Sequence, residues 1–218
     1  EALDPISPQY LSDLVSWSAI GARTTESQTH REMASGLSMP VGFKNGTDGN
    51  VGIAVNAIGA AASPHNFMGI NEKGQVTILE TKGNPDAHLI LRGGKQPNYQ
   101  AEHVIAAEIE MQQAGYNPAI VIDCSHANSN KDYSRQPQVA IDILEQLEKG
   151  DQAIVGIMLE SHIHAGNQKL TDNLGDLEYG VSITDACIDW QATEQLVLEY
   201  NQRLTKVVEA KRHSTVSA

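Results

Sequence analysis

The sequence predicts an α/β fold in which helices cover a parallel β-sheet. Predicted strands and helices alternate along most of the 218 residues, which is typical of repeated β-α units. Two predicted strands, 120–122 and 154–158, are almost continuously apolar, as expected of strands that are buried on both faces. Charged residues or candidate metal ligands follow nearly every strand. We therefore expect the function to lie at the carboxyl ends of the strands.

The first predicted element is a helix over residues 7–16. Ser7 is a suitable N-cap, Pro8 suits the first helical position, and Leu11, Leu14 and Val15 would share one face. The apolar patterns that follow predict further elements in chain order. They are a strand at 18–22, a helix at 26–36, a strand at 41–43 and a helix at 51–62.

A β-hairpin is predicted as an insertion before the alternation continues. Residues 65–70 and 75–80 are strand-like, and the turn-forming segment 71–74 separates them. The later elements are a strand at 88–91, a helix at 102–114, strands at 119–122 and 153–159 flanking a helix at 137–148, a short strand at 181–183 and a helix at 193–209.

The choice between a barrel and an open sheet depends on the number of strands. Leaving the hairpin aside, the pattern gives about six strands, whereas a (β/α)8 barrel has eight and typically about 250 residues. A barrel therefore requires two β/α units upstream. The chain starts at Glu1 rather than at methionine, so we expect further sequence before it.

Composition narrows the class of protein. A formal net charge of -12 argues against general binding to nucleic acid or anionic membranes, which usually requires clustered Lys and Arg. The two cysteines, Cys124 and Cys187, and the lack of a leader or long apolar run disfavour a disulfide framework, secretion and membrane spanning. We expect a cytoplasmic protein. Cys124 closes an apolar strand and is most simply a buried small hydrophobe.

Three cations follow three different strands: Arg23, Lys44 and Arg92. Arg offers a planar fork of donors and Lys a compact charge, so together they suit a small ligand with phosphate and carboxylate groups. Neighbouring glycines let the backbone approach such a ligand closely. A single cation at a strand end is more often a solvated surface charge, but three of them favour ligand binding.

His126, Glu160 and Asp185 also come at or shortly after strand ends. One imidazole and two carboxylates can hold a divalent first-row metal ion. Their wide spacing leaves alternatives open, because His126 could be a hydrogen-bonded loop histidine and the two acids a solvated charge and a turn cap. His162 and His164 are competing ligands.

Five segments form a specific set of motifs: GARTTESQ at 21–28, PVGFKNGT at 40–47, ILRGGK at 90–95, DCSHAN at 123–128 and SITDAC at 182–187. Together they closely resemble type I 3-deoxy-D-arabino-heptulosonate 7-phosphate (DAHP) synthase, and most closely its tyrosine-sensitive form. The resemblance implies a (β/α)8 TIM barrel with an added hairpin, in which residues 1–218 are the C-terminal part of a single domain. The first two β/α units would be missing.

The resemblance implies condensation of phosphoenolpyruvate with erythrose 4-phosphate to give DAHP and phosphate, the first step of the shikimate pathway to aromatic amino acids. Arg23, Lys44 and Arg92 would hold the phosphate and carboxylate of phosphoenolpyruvate, with the backbone of Ala22 nearby. The catalytic groups would be Lys44, Arg92 and His126.

The resemblance also implies a bound divalent ion, which would be Mn, Fe, Co or Zn. His126, Glu160 and Asp185 would be three of its four ligands. The family's fourth ligand, a cysteine on the first barrel strand, and its Lys-Pro-Arg-Thr motif on the second strand are not in this sequence. We therefore expect little activity from residues 1–218 alone.

An aromatic amino-acid effector, expected to be tyrosine, is a further implication of the resemblance. The positions that match its pocket are Pro8, Gln9, Met33, Leu37, Ser38, Phe67, Gly69 and Leu79. Gly69, which has no side chain, would leave room for a phenolic hydroxyl. The alternative is that these are ordinary packing residues of a helix and a hairpin.

Two other functions are compatible with these residues. One is a related synthase that condenses phosphoenolpyruvate with a different aldose phosphate. The other is a non-catalytic chain that retains an effector-binding or oligomerisation surface, since the full-length protein is expected to be a homo-oligomer.

Overall fold

The computed structural model describes the backbone of residues 5–10 and 12–216 and the side chains as far as residue 207. The strands are β1 (Ser18–Ile20), β2 (Val41–Lys44), β3 (Asn66–Ile70), β4 (Val76–Glu80), β5 (Ala87–Leu91), β6 (Ile120–Asp123) and β7 (Ile154–Met158). The helices are α1 (Gln28–Gly36), α2 (Gly52–Ala62), α3 (Ala101–Gln113), α4 (Gln136–Glu148) and α5 (Trp190–Val216).

Five parallel strands form the central sheet in the order β1-β2-β5-β6-β7, and β3 and β4 form a separate antiparallel hairpin. The predicted α/β fold with a parallel sheet is confirmed, and so is the inserted hairpin. Within the described residues the sheet is not closed, because β1 and β7 each pair with one neighbour. The described part of the chain contains no helix that is long and apolar enough to cross a membrane.

One face of the sheet packs against the helices. Phe43, Leu89 and Ile122 are fully buried there, in a core that also contains Ala57 of α2 and Ile143 of α4. Because successive side chains of a strand point to opposite faces, the residues that alternate with these face away from the helices. Burial on both faces explains why the strands are apolar nearly throughout.

The opposite face has a smaller apolar cluster and one buried histidine. Ile90 and Val121 pack there with Trp17, whose indole N–H donates a hydrogen bond of 3.0 Å to Nε2 of His88. Nδ1 of His88 lies 3.1 Å from the carbonyl oxygen of Asp86, which fixes the neutral tautomer. Burial lowers the pKa of His88, against the opposing effects of the Asp86 carbonyl and carboxylate.

The helix predicted over residues 7–16 is wrong. The described residues form two 3-10 turns, Pro8–Tyr10 and Ser12–Leu14, closed by i to i+3 bonds of 3.4 and 3.3 Å. Leu14 is 82% exposed, so it does not belong to a buried helical face, and Leu11 lies outside the described residues. A helix of this length gains little from propensity alone.

The strand predicted at 181–183 is also wrong. Ser182 forms only an isolated bridge with Asn167, and its hydroxyl accepts a hydrogen bond of 3.1 Å from the backbone N–H of Thr184. Such side-chain bonds to the local backbone compete with a ladder of strand hydrogen bonds. The other predicted strands, and the predicted helices that correspond to α1, α2, α3 and α4, agree with the structure within about two residues.

His88 should make the fold sensitive to mild acid. Its pKa is below the ordinary 6.5 in the folded chain, so its stabilising contribution is complete above pH 6.5 and is lost as the pH falls through the folded pKa. We expect His88→Gln to be less stable at pH 8 but to lose less stability between pH 7 and pH 5. Urea unfolding at several pH values measures this, and parallel curves for the two proteins would contradict it.

Candidate functional site

Four strands of the sheet present polar residues at the same rim. Lys44 and Asp123 are the last residues of β2 and β6, Arg92 directly follows β5, and Glu160 comes shortly after β7. The neighbours Phe43, Leu91 and Ile122 belong to the helix-facing core, so Lys44, Arg92 and Asp123 point away from the helices. Parallel pairing therefore brings these side chains together at the carboxyl end of the sheet.

Asp123 is the centre of this rim. Its Oδ2 lies 2.8 Å from Nζ of Lys44 and 2.9 Å from Nδ1 of His126, and its Oδ1 accepts a bond from the N–H of Ser125. Its side chain is only 2% exposed. Burial alone would raise the pKa of Asp123, but the His126 contact and the Lys44 charge together lower it below its ordinary value. Asp123 is thus a carboxylate that orients two neighbours.

His126 is held in an uncommon backbone conformation. Its φ is +53°, a left-handed value that few residues other than glycine adopt, and its carbonyl accepts a bond of 2.7 Å from the N–H of Lys131. With Nδ1 beside Asp123, Nε2 lies 3.6 Å from Oε1 of Glu160 and 3.8 Å from Oδ2 of Asp185. The imidazole therefore presents its second nitrogen to two carboxylates.

These three side chains fit a divalent cation. One ligand atom from each of His126, Glu160 and Asp185 lies within 4.8 Å of the other two, which is compatible with metal–ligand bonds of about 2.0–2.2 Å to nitrogen and oxygen. Burial raises the pKa of Glu160, His126 opposes this shift, and Asp185 adds to it. A cation among the three would relieve the repulsion between the two carboxylates.

Glu160 is positioned by a buried residue at the start of α4. The amide of Gln136, which has no exposed surface, donates a bond of 3.1 Å to the Glu160 carbonyl. The same amide accepts a bond of 2.8 Å from the Glu160 N–H. Gln136 therefore clamps the backbone of Glu160 from both sides. Asp185 lies on an outer loop, and its side chain is 70% exposed.

The cations lie at the same rim. Burial lowers the pKa of Arg92; the positive charge of Arg23 also lowers it, while the charges of Asp123 and Asp185 raise it. These effects place all four groups within electrostatic reach of one another. Among the described residues, no carboxylate lies within 4 Å of the guanidinium nitrogens of Arg23 or Arg92. Two unneutralised guanidinium groups beside the Lys44–Asp123 pair are well suited to an anion.

The rim unites the six residues that the strand-end pattern singled out, which are Arg23, Lys44, Arg92, His126, Glu160 and Asp185. Ala22 lies in the turn between β1 and Arg23. Of the competing candidates, His162 is exposed, and its Nδ1 accepts a bond from the N–H of Ile163. Cys124 is buried in the helix-facing core, as predicted, and burial strongly raises the pKa of its thiol.

Sequence reasoning missed Asp123 and Gln136 as site residues. Asp123 could have been found, because it ends an apolar strand in the same way as Lys44. Gln136 gives no such signal, since it begins a helix and acts only through the backbone of Glu160.

A separate cavity of about 850 Å³ lies beneath the hairpin. Seven of the eight residues suggested for the effector pocket line it: Pro8, Gln9, Met33, Leu37, Ser38, Phe67 and Leu79. Gly69 is not among the lining residues. A Cβ atom on Gly69 would lie 2.3 Å from Cδ1 of Leu79, so the space that this glycine leaves is filled by the Leu79 side chain.

Comparison with known proteins gives one consistent family. The profile described as "DAHP synthetase I family" matches residues 1–198. The Tyr-sensitive phospho-2-dehydro-3-deoxyheptonate aldolase of Enterobacter agglomerans is 64% identical over 208 residues, which are 95% of this chain and 98% of that sequence. The Tyr-sensitive enzyme of Escherichia coli K12 is 62% identical over 204 residues, 94% of this chain and 57% of that sequence.

A solved structure agrees with these relatives. The phospho-2-dehydro-3-deoxyheptonate aldolase of Francisella tularensis SCHU S4 superposes with a TM-score of 0.88 at 46% identity, covering 93% of this chain and 59% of that chain. The chain therefore spans less than two thirds of the Escherichia and Francisella proteins, although it spans nearly all of the Enterobacter sequence.

Glu160→Gln should weaken divalent cation binding. The variant keeps the size of the side chain but removes one of two carboxylates facing Nε2 of His126, so we expect affinity for Mn²⁺ to fall about tenfold or more. Calorimetric titration of the chain with Mn²⁺ measures this. Glu178→Gln, on an exposed loop, is the matched control. Equal affinities in both variants would exclude Glu160 as a ligand.

Proposed function

The chain belongs to the DAHP synthetase I family, and we propose that the protein containing it condenses phosphoenolpyruvate with erythrose 4-phosphate. The products would be DAHP and phosphate, in the first step of the shikimate pathway to aromatic amino acids. The observation that carries this proposal is the meeting of Lys44, Arg92 and Arg23 with the group His126, Glu160 and Asp185 at one rim. An anion site lies directly beside a cation site there.

Phosphoenolpyruvate would occupy the cationic side of the rim. Arg23 and Arg92 suit its phosphate and carboxylate, because each guanidinium can donate two parallel hydrogen bonds to such a group. Lys44 adds a third positive charge that Asp123 holds in place. The backbone of Ala22, in the turn before Arg23, would lie against the ligand.

A divalent ion would be held by His126, Glu160 and Asp185, with Mn, Fe, Co and Zn all compatible with one nitrogen and two oxygen ligands. When bound, such an ion supplies Lewis-acid polarisation of the aldehyde oxygen of erythrose 4-phosphate. The Asp123 contact at Nδ1 of His126 keeps the imidazole turned so that Nε2 faces the two carboxylates.

The residues of the chain contribute mainly position and charge. Lys44 and Arg92 would orient phosphoenolpyruvate so that its terminal enol carbon attacks the aldehyde carbon and a carbon–carbon bond forms. Water then adds to the cationic central carbon, and one of its protons passes to the former aldehyde oxygen, which becomes a hydroxyl. The bond from the central carbon to the phosphate oxygen breaks as a ketone forms, and the second proton leaves with the phosphate. The arginines and Lys44 would stabilise the negative charge of the departing phosphate. His126 would act at the aldehyde end of the reaction.

A complete (β/α)8 barrel is part of the proposal, with residues 1–218 as the C-terminal part of one domain. It is supported by the unpaired sides of β1 and β7 within the described residues. Two further β/α units, together with the segment around 181–183, would bridge these edges. They would also supply the fourth metal ligand and the Lys-Pro-Arg-Thr motif. A cytoplasmic location and a homo-oligomeric full-length protein belong to the same proposal.

The cavity beneath the hairpin is proposed to bind tyrosine as a feedback inhibitor. Its apolar walls include Phe67, Met33 and Leu79, while Gln9 and Ser38 supply polar groups. Such a combination suits an aromatic amino acid. Gly69 would tune the cavity indirectly, by determining how far Leu79 can withdraw from it.

The alternatives receive less support. A purely effector-binding or oligomerising chain would have no need of the converging cations and candidate metal ligands at the strand ends. A synthase for a different aldose phosphate would share the rim, so an assay with each aldose phosphate is needed to distinguish the two functions.

Arg92→Lys should raise the KM for phosphoenolpyruvate about tenfold or more, because it keeps the charge but loses the planar fork. The assay follows phosphoenolpyruvate consumption by the full-length protein with erythrose 4-phosphate, and separately with arabinose 5-phosphate. Arg135→Lys, at an exposed position, is the control. No consumption with erythrose 4-phosphate would refute the proposed reaction, and rapid turnover by residues 1–218 alone would refute the need for upstream units.

Gly69→Ala should weaken tyrosine binding. The added methyl group would displace Leu79, which lines the cavity. Calorimetric titration with tyrosine measures the effect, with Gly175→Ala, in the exposed 3-10 helix Leu174–Asp176, as the control. Unchanged tyrosine affinity in Gly69→Ala would contradict this account of the cavity.

A further inference from the structure

Three buried asparagines connect the loops that follow β2, β5 and β6. Asn45, Asn98 and Asn128, here called the asparagine network, come from three separate loops and are at most 8% exposed. Asn45 directly follows Lys44, Asn98 is in the loop that carries Arg92, and Asn128 is in the loop that carries His126. The network contacts the backbone of the site, and none of its three side chains is among those proposed to contact substrate.

Asn45 satisfies every hydrogen-bonding position of its amide. Its Oδ1 accepts bonds from the backbone N–H of Arg92 at 2.8 Å and from Nδ2 of Asn98 at 3.2 Å. Its Nδ2 donates to the carbonyls of Gly46 and Gly93 at 2.8 and 3.0 Å. The Asn45 side chain therefore links the loop after Lys44 to the backbone N–H of Arg92 and to the carbonyl of Gly93.

Asn98 and Asn128 extend this arrangement to the His126 loop. Oδ1 of Asn98 accepts a bond of 2.7 Å from the N–H of Gly93, and the N–H of Asn98 donates to Oδ1 of Asn128 at 2.8 Å. Nδ2 of Asn128 donates to the carbonyls of Leu91 and Asp123 at 3.2 and 2.8 Å. The ends of β5 and β6 are thus fixed relative to each other.

The backbone around the asparagine network is closely packed. Gly93 has a φ of +74°, and a Cβ atom on it would lie 2.7 Å from Cβ of Ala127. A Cβ atom on Gly94 would lie 2.3 Å from Cα of Gly49. Three loops therefore meet in direct backbone contact, and small shifts in one must move the others.

We propose that the asparagine network is a positioning device for the anion site. It would set the distance between the Lys44 ammonium and the Arg92 guanidinium by fixing the backbone that carries both. A buried amide can hold four bonds without adding charge, so it orders the loops and leaves the cationic potential of the rim intact. This inference rests on the proposed function, because it takes phosphoenolpyruvate as the anion.

A matched residue separates positioning from stability. Asn84 is also buried, at 2% exposure; its Nδ2 donates to the carbonyls of Ala34 and Met39, and its Oδ1 accepts from the N–H of Asp86. None of these three bonds involves a residue of the rim. Asn84→Ala loses two donated bonds and one accepted bond, whereas Asn98→Ala loses one of each. The control should therefore be destabilised at least as much.

The experiment compares Asn98→Ala, Asn45→Ala and Asn84→Ala in the full-length protein, because these substitutions add no charge. The melting temperature reports stability, calorimetric titration with phosphoenolpyruvate reports affinity, and the ³¹P resonance of the bound ligand reports the surroundings of its phosphate. We expect binding at least about tenfold weaker in Asn98→Ala, equivalent to about 1.4 kcal/mol, together with a shifted resonance. Asn84→Ala should lose melting temperature but keep both the affinity and the resonance. Asn98→Ala decides the matter if Asn45→Ala does not fold.

The outcomes are distinct. Normal affinity and an unchanged resonance in a folded Asn98→Ala would overturn the positioning role, and so would an equal loss of affinity in Asn84→Ala. If the unsubstituted full-length protein binds no phosphoenolpyruvate although it is folded, the ligand assigned to the rim fails and this inference fails with it.

Discussion

The buried carboxylate of Asp123 is the interaction on which the rim depends. It pairs with Lys44 and contacts His126, so one negative charge orients a group on the anion side and a group on the cation side. Burying a carboxylate is unfavourable unless partners surround it, and removing one partner leaves a charge without compensation. Asp123 satisfies this condition with the Lys44 ammonium, the His126 imidazole and the N–H of Ser125. Its geometry therefore tolerates little rearrangement.

The residues that stabilise the sheet lie on its helix-facing side, whereas the residues of the candidate site lie at the carboxyl ends of its strands. Fully buried residues such as Phe43, Leu91 and Ile122 pack under the helices, while the polar residues extend from the carboxyl ends. Each functional side chain except Asp185, which lies on an outer loop, thus follows directly or closely on an apolar strand that anchors it. Clamps such as Gln136 on Glu160 add precision where the strand has ended.

The cavity beneath the hairpin and the rim share one structural element, α1. Ser35 of α1 exchanges a hydrogen bond with Thr81 at the end of the hairpin, and Arg31 of the same helix donates to the carbonyl of Thr25. The hydroxyl of Thr25 then donates to the carbonyl of Lys44 at 2.7 Å. The two sites are therefore joined by consecutive hydrogen bonds through a single short helix.

The sequence by itself determined the parallel α/β framework, the hairpin and the strand-end residues, because apolar runs, turn residues and the side-chain period are local properties. It could not determine the short elements: Pro8–Tyr10 and Ser12–Leu14 form 3-10 turns and residues 181–183 form no strand, since local side-chain bonds and weak propensity decide such segments. Only the tertiary structure decided that Asp123 joins Lys44 and His126 and that three asparagines lock the loops. Asp123 and Lys44 are 79 residues apart in the sequence, Asn45 and Arg92 are 47 apart, and Asn98 and Asn128 are 30 apart. No local pattern predicts such contacts, because they exist only after the sheet has assembled.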